Sequence, residues 1–448
     1  MTRYFTRREI LEAAAGLAAG GLAGAGIVCC GSSSGGKDQG AIPGPEGRQG
    51  ERLAVTMWEF SWLVCRQGRE SEYADWDKVL DQLAERGYNC IRMDAFPHLV
   101  ARGPGGERGS RFTVLPQTPL FFWGNHDKVE IEPRADLVAF LRKVRDRGMR
   151  VGFSSWFVDD TTHRAASIAT PRDFARVWAE TLDVVSDAGL LEMVAWVDVC
   201  NEFPLGRWAP GAYREIFGES PTNVIPLVLP WSEATRARVQ AYLDEAIGSL
   251  RAAYPNLRYT FSVEDGLSGP NMRTLDTASL DIAEVHIWVS NDPEFSIRSG
   301  QLFLLLEFPG SLDAHVKTAP EVYYPRRDHW LEVLGGRMEV WRLWAQERGL
   351  PLFTTEGWGP VNYDDVGPTG DAGEWEWVRD VCAEAVRMAC EKGWTGICTS
   401  NFCQPHFEGM WQDVSWHRDL TDRILWRKPL GRVATWVDSG WDRGRQGV

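Results

Sequence analysis

Two glutamates carry the strongest chemical signal in this sequence. Glu202 lies in "AWVDVCNEFP" (195–204), a run that begins apolar and ends on Asn201-Glu202 and then Pro204. Glu356 stands in "FTTEGWGP" (353–360), again after an apolar stretch, with Gly357 and Gly359 allowing a tight turn. Two carboxylates facing each other across a pocket can divide a reaction between them. A glycosidic oxygen is a poor leaving group and needs a proton, while the sugar carbon needs a nucleophile or an activated water. Burial and a neighbouring negative charge raise the pKa of the acid member. A nearby cation such as Arg92, in "IRMDAFP", would keep the other member ionised. Asn201 could hold a sugar hydroxyl through hydrogen bonds that tighten in the transition state.

Such groups need a frame that brings distant segments together. One phrase recurs: "ERGYNCI" (85–91), "DRGMRVGF" (146–153), "ERGLPLF" (347–353) and "EKGWTGIC" (391–398). An acid and a base precede Gly, and an apolar run follows. A base suits the last turn of a helix, Gly can close it in the left-handed conformation, and the apolar run reads as a buried strand. Each phrase is therefore a helix-to-strand junction. The preceding segments have helical periodicity, with Trp76, Val79, Leu80, Leu83 and Ala84 on one face, and likewise Trp377, Val381, Cys382, Ala385 and Met388. Thr170 and Pro171 stand at cap and first-turn positions of another helix.

Eight strand candidates follow: 53–60, 89–95, 150–157, 194–200, 258–264, 282–289, 351–356 and 394–401. Alternating strands and helices give an α/β chain with a parallel sheet, and eight units fit a (β/α)8 TIM barrel with long strand-to-helix insertions at 98–134 and 290–336. A doubly wound open sheet is disfavoured because no Gly-rich phosphate loop follows the first strand. In a barrel the carboxyl ends of the strands converge on one pocket. They carry Arg92 and Asp94, Asn201 and Glu202, Glu264 and Asp265, His286 and Trp288, Glu356 and Trp358, and Asn401 and Gln404. The bland readings stand beside the functional ones. Arg92 in an apolar strand needs a partner if buried, so a structural ion pair with Asp94 or a neighbouring strand is the alternative. His286 is equally a core histidine, and Glu264-Asp265 could bind sugar or cap a segment. Trp288 and Trp358 read as pocket aromatics, whereas Trp76, Trp178, Trp341, Trp344 and Trp377 read as helix packing. The loop "WGNHDK" (123–128) could line the cleft or cover the barrel.

These strand ends resemble the cellulase-like members of clan A of the glycoside hydrolases, over about residues 53–425. The resemblance implies a TIM-barrel retaining glycosidase acting on a β-linked oligo- or polysaccharide. It makes Glu202, beside Asn201, the acid/base and Glu356 the nucleophile. It gives Arg92 the role of an arginine bonded to the nucleophile, and places His286 where a His or Tyr stands beside it. The sequence departs from the better-known members in two places. "VGFSSWFVDD" lacks a histidine after the third strand, and the eighth ends on Asn401-Phe402 rather than Trp, so Trp411 or Trp416 could serve instead. A non-catalytic sugar-binding barrel that kept the pocket, and a transglycosylase using the same residues, are the competing readings.

Bulk properties agree with a large folded domain. The chain has 448 residues, with 44% hydrophobic and 25% charged, enough for a sizeable core. Its net charge of −14 disfavours nucleic-acid partners. Residues 1–30, with Arg7-Arg8 ahead of an Ala/Gly-rich apolar run, are similar to a twin-arginine export signal, which implies a mature chain without an integral membrane domain. Cys29 or Cys30 could take a lipid, although the residues before them match a lipobox poorly. Residues 31–50 read as a flexible linker, 51–430 as the barrel and 431–448 as a tail. The seven remaining cysteines show no metal spacing, and Cys90, Cys200 and Cys398 read as buried thiols. No H-E-x-x-H motif occurs and no G-x-S-x-G elbow follows a strand, so neither a metal nor a cofactor is expected.

Overall fold

The computed structural model describes residues 52–65, 71–117, 125, 127–305, 310–360 and 375–426. The leader, the linker and the 431–448 tail lie outside the described residues. All eight expected strands form. They are β1 (Leu53–Glu59), β2 (Cys90–Asp94), β5 (Arg150–Ser154), β6 (Val194–Asp198), the pair β7 (Tyr259–Thr260) and β8 (Val263–Glu264), β9 (Ala283–Trp288), the pair β10 (Leu352–Thr354) and β11 (Gly357–Trp358), and β12 (Gly396–Cys398). The remaining two, β3 (Phe112–Val114) and β4 (Val129–Ile131), form an antiparallel hairpin inside the insertion after β2.

Pairing runs parallel around a ring. β1 pairs with β12 and β2, β2 with β5, β5 with β6, and β6 with β7. The fifth barrel strand is broken, and the break closes the circle: its lower half β7 pairs with β6 and its upper half β8 with β9. β10 then joins β9 to β12. The result is a (β/α)8 barrel with helices outside. The four junction glycines take the left-handed conformation expected of them, with φ of +82° at Gly87, +66° at Gly148, +65° at Gly349 and +78° at Gly393. Thr170 and Asp173 form a reciprocal cap at the helix Pro171–Asp187. The helix Trp76–Glu85 buries Trp76, Val79, Leu80 and Leu83, but Ala84 is exposed. After the fifth strand the helix is only Gly269–Met272, and the insertion after β9 folds into helices at Pro293–Arg298, Gln301–Leu305 and Ser311–Tyr323. Among the described residues no helix is long and apolar enough to cross a membrane.

Residues two apart on a strand share a face, so the barrel interior is layered. Its lower end is an apolar plug of Leu53, Val55, Cys90, Ala195, Trp196, Ile282 and Phe353. The rings of Trp196 and Phe353 meet edge to face at 5.3 Å. They fit because β5 and β12 carry Gly152 and Gly396 there. A Cβ on Gly152 would lie 2.1 Å from the Trp196 ring, and one on Gly396 2.5 Å from the Phe353 ring. Cys90, Cys200 and Cys398 are buried thiols, as expected. The Gly152→Ala variant should lose about 1–3 kcal/mol of stability, because neither ring can turn aside in a packed plug. Denaturant unfolding checks this, and an unchanged midpoint would mean the plug is loosely packed.

Candidate active site

Above the plug lies a layer of charge. Arg92, on β2, is fully buried and points into the barrel axis. Its Nη1 donates to Glu356 Oε1 at 2.5 Å. Its Nη2 faces Asp198 Oδ2 at 2.8 Å, Asn201 Oδ1 at 2.6 Å and Ser154 Oγ at 3.1 Å. Its Nε lies 3.2 Å from Glu284 Oε1 as an ion pair. The face of the guanidinium stacks 4.6 Å from the Trp156 ring centroid. Of the two structural readings, the pair with neighbouring strands is the one that forms. Asp94 turns instead to the backbone N–H groups of Phe96 and Trp156 at 2.6 and 2.9 Å, and burial pushes its carboxyl up to about 7.

The two glutamates of interest sit on this layer. The Glu202 backbone is left-handed, with φ of +48°. Its N–H donates to Ser262 Oγ at 2.8 Å, and Ser262 is fastened to Asp198 through both its N–H and its Oγ at 2.8 Å. Thus Asp198 positions Arg92 on one side and the Glu202 main chain on the other. The Glu202 carboxylate accepts from Trp208 Nε1 at 3.1 Å and faces His286 Nδ1 at 3.1 Å. His286 Nδ1 also lies 3.8 Å from Glu356 Oε1. Ligand-type atoms of Glu202, His286 and Glu356 lie within 4.8 Å of one another. Each carboxylate therefore has its own cation, Arg92 for Glu356 and His286 for Glu202.

Protonation in this cluster runs opposite to the simple expectation. Burial pushes Glu202 up, but the hydrogen bond and charge of His286, with help from Trp208 and Arg92, outweigh it and hold Glu202 below its ordinary range. For Glu356 burial prevails over the pull of His286 and Arg92, with the charge of Glu202 adding, so its carboxyl is raised. Burial alone would lower His286, yet the carboxylates of Glu356, Glu202 and Glu284 raise it to about 10. His286 is thus an imidazolium, and the cluster keeps a proton between its two glutamates. Glu202, His286 and Glu356 could each offer a cation one ligand atom.

Some expected site residues lie where the barrel axis opens, and some do not. Asn201 spends its oxygen on Arg92 and leaves a buried Nδ2 without a partner, and Asn401 has a buried Oδ1 without one. Trp288 is partly exposed, beside Phe402. Trp358 is not a pocket aromatic: its Nε1 donates to Cys398 O at 3.0 Å and its ring packs on Trp394 behind the sheet. Trp411 does not face the carboxylates either. Arg86 stacks over its ring at 4.0 Å and its Nε1 reaches Gln82, which fixes it against the helix Trp76–Glu85. Trp416 packs on His417. Glu264 caps a turn through Gly266 N at 2.9 Å and is held by Asn291, while Asp265 is tied to Arg337 and Trp341 at 2.7 Å, so both are structural. From the loop 123–128, Asn125 is bonded to Val64 O at 2.7 Å; Trp123, Gly124 and His126 lie outside the described residues.

Sequence reasoning missed Asp198, Glu284 and Glu59. Each is a charged residue inside an apolar strand, the same signal that singled out Arg92. Glu59, at the end of β1, is fully buried and bonded by Ser61 and Gln404. Burial, less the pull of those bonds, raises it to about 8. A carboxyl raised on folding contributes stability that is full below its ordinary value near 4.5 and is lost as pH rises to about 8. Glu59→Gln should therefore flatten the fall in melting temperature between about pH 5 and about pH 9. An identical fall in variant and wild type would show that Glu59 ionises normally.

The model of a family described as sugar-binding cellulase-like matches residues 55–425. A provisionally assigned glycoside hydrolase from Parabacteroides distasonis shares 33% identity at a TM-score of 0.73, covering 84% of this chain and 93% of that one. More distant structures include an endocellulase from Pyrococcus horikoshii, 14% identical with TM-score 0.44 over 84% of this chain and 92% of that one. A xylanase from Cellvibrio japonicus is 11% identical with TM-score 0.45, over 85% and 68%. No curated protein sequence matches. The family match spans most of the chain and includes every strand end described above; the chain belongs to the sugar-binding cellulase-like family of the TIM-barrel glycoside hydrolases.

Proposed function

We propose that this chain is a retaining glycosidase that cleaves O-glycosidic bonds of a β-linked oligo- or polysaccharide, with Glu356 as nucleophile and Glu202 as acid/base. One observation carries the reading: two carboxylates come within 4.8 Å, each held by a different cation. Carboxyl groups about 5–5.5 Å apart suit attack by one of them on the sugar carbon, whereas inverting enzymes need about 6.5–9.5 Å to admit a water. The division of roles follows from the partners. Arg92 fixes Glu356 without offering a labile proton, since a guanidinium stays charged. Glu202 instead faces an imidazolium, which can give and take a proton. In the first step Glu356 bonds to the sugar carbon while Glu202 delivers a proton to the departing oxygen. In the second, Glu202 takes a proton from water, whose oxygen displaces Glu356. The free Nδ2 of Asn201 supports a hydrogen bond to a sugar hydroxyl beside the reacting carbon.

A second reading is favoured by the family description, sugar-binding cellulase-like, which does not itself require turnover. Release of reducing sugar from a panel of β-linked glucans, mannans, xylans and aryl glycosides separates the two. Wild type should act on at least one of them, and Glu356→Ala should abolish the activity. Glu202→Ala should lose on the order of 10²–10⁴ on substrates whose leaving group needs a proton. Equal turnover by wild type and Glu356→Ala removes the nucleophile assignment, while sugar binding without turnover favours the second reading. We also propose that the chain is exported, from Arg7-Arg8 and the apolar run after them. Replacing both arginines by lysine should retain the chain in the cytoplasm of a host with twin-arginine transport, and undiminished export would contradict this.

A further inference from the structure

We propose that Glu202, His286 and Glu356 together form a binding site for one divalent transition-metal ion of the Zn²⁺ class, and that the ion shuts the site when it binds. Binding needs no substrate, whereas the shut-down rests on the glycosidase reading. Among the described residues, only these three side chains bring metal-ligating atoms within 4.8 Å of one another. Nδ1 of His286 stands 3.1 Å from Glu202 Oε1 and 3.8 Å from Glu356 Oε1. Zn²⁺ takes nitrogen and oxygen ligands at about 2.0–2.2 Å, so neighbouring ligand atoms around a tetrahedral ion stand about 3.4 Å apart. The two separations bracket that value, and a small inward movement of the Glu356 carboxylate completes the fit. No motif announces the site in sequence, because its ligands come from the ends of three different barrel strands.

A second observation points the same way: each ligand is braced from behind, as the ligands of bound metals are. His286 turns Nδ1 to the two glutamates and Nε2 to Glu284 Oε1 at 3.9 Å and Thr355 Oγ1 at 3.5 Å. With the Nδ1 lone pair on the ion, the ring carries its single hydrogen on Nε2, facing that carboxylate. Trp208 Nε1 fixes Glu202 through Oε2 at 3.1 Å and leaves Oε1 for the ion, and Arg92 Nη1 fixes Glu356 at 2.5 Å. Glu202, Glu356, Glu284 and Asp198 surround this spot against the one guanidinium of Arg92, so a doubly charged ion eases the repulsion among them. Two carboxylates and an imidazole suit zinc, nickel or copper, whereas Mg²⁺ and Ca²⁺ favour all-oxygen sites. The Glu202 and Glu356 side chains are 12% and 8% exposed, so an ion can enter from the pocket. Once there it occupies the place of the sugar carbon and takes the lone pairs that the reaction uses. The metal-bound protein is inactive, and removing the metal restores it.

Calorimetry with Zn²⁺ alone on the full-length protein tests this, at about pH 8 because ligands take metal only when deprotonated. One ion should bind per chain, and His286→Gln should bind it at least about 10-fold more weakly. His163→Gln, which removes a surface imidazole paired with Asp159, should bind it as wild type does. The His286 ring nitrogens, assigned by NMR from their loss in His286→Gln, should shift when Zn²⁺ is added, and equal Mg²⁺ should not displace it. Equal affinity in wild type and His286→Gln overturns the proposal, as does a dissociation constant above about 1 mM. Mg²⁺ bound as tightly overturns the assignment to a transition metal. If His286→Gln fails to fold, Glu202→Gln takes the charge from a second ligand and should show the same weakening. On any glycoside that is turned over, Zn²⁺ should raise KM, leave kcat unchanged and be reversed by a chelator; a fall in kcat alone puts the ion elsewhere. If no glycoside is turned over, the glycosidase reading fails, while the Zn²⁺ titration still decides the metal site.

Discussion

A single buried guanidinium organises this barrel. Arg92 has no contact with bulk water, and a lone charge there would be prohibitively costly. Asp198, Glu284 and Glu356 remove that cost, and Arg92 removes theirs in return. Burial lowers the affinity of Arg92 for its proton, yet these three carboxylates raise it overall. The four residues come from four different barrel strands. The arrangement that neutralises the interior is therefore also a clamp between strands, and it fixes the orientation of Glu356 and Asn201 as a by-product.

The barrel interior then reads upward as three environments. Trp196 and Phe353 seal the lower end and keep water from the ionic layer. Dryness strengthens every charge interaction above them. Trp196 links the two layers directly, since its ring fills the plug while its Nε1 holds Glu284. Above the ionic layer, Glu202, His286 and Glu356 share protons as one unit. Three further carboxyls lie in the upper interior. Glu59, Asp94 and Glu264 are raised to about 8, 7 and 7, chiefly by burial. They accept hydrogen bonds from turns and neighbours.

The rim carries the barrel's largest additions. The hairpin after β2 and the three helices after β9 are additions on the strand-to-helix side, where barrels build their binding surfaces. Trp288, partly exposed at the end of the sixth barrel strand, packs on the buried Phe402 that follows the eighth.

What the sequence determined by itself is everything carried by local pattern. The helix-to-strand junctions, the eight strands and hence the barrel follow from periodicity and from glycines that close helices. The positions of Glu202, Glu356, Arg92 and His286 at strand ends follow from the same reading, because strand order in a barrel brings those ends together. Only the tertiary structure decided which neighbour each side chain chose. Asp198 and Glu284 were visible as charges in apolar runs, but their common partner, Arg92, is 106 residues from Asp198 along the chain. Trp358 looks like a strand-end aromatic in sequence and Trp411 like a stand-in for one, yet Cys398 O claims the first indole and Arg86 stacks on the second. Protonation is likewise a property of distance and burial: against the pull of burial, the Glu356, Glu202 and Glu284 carboxylates raise His286 to about 10, and His286 holds Glu202 below its ordinary range.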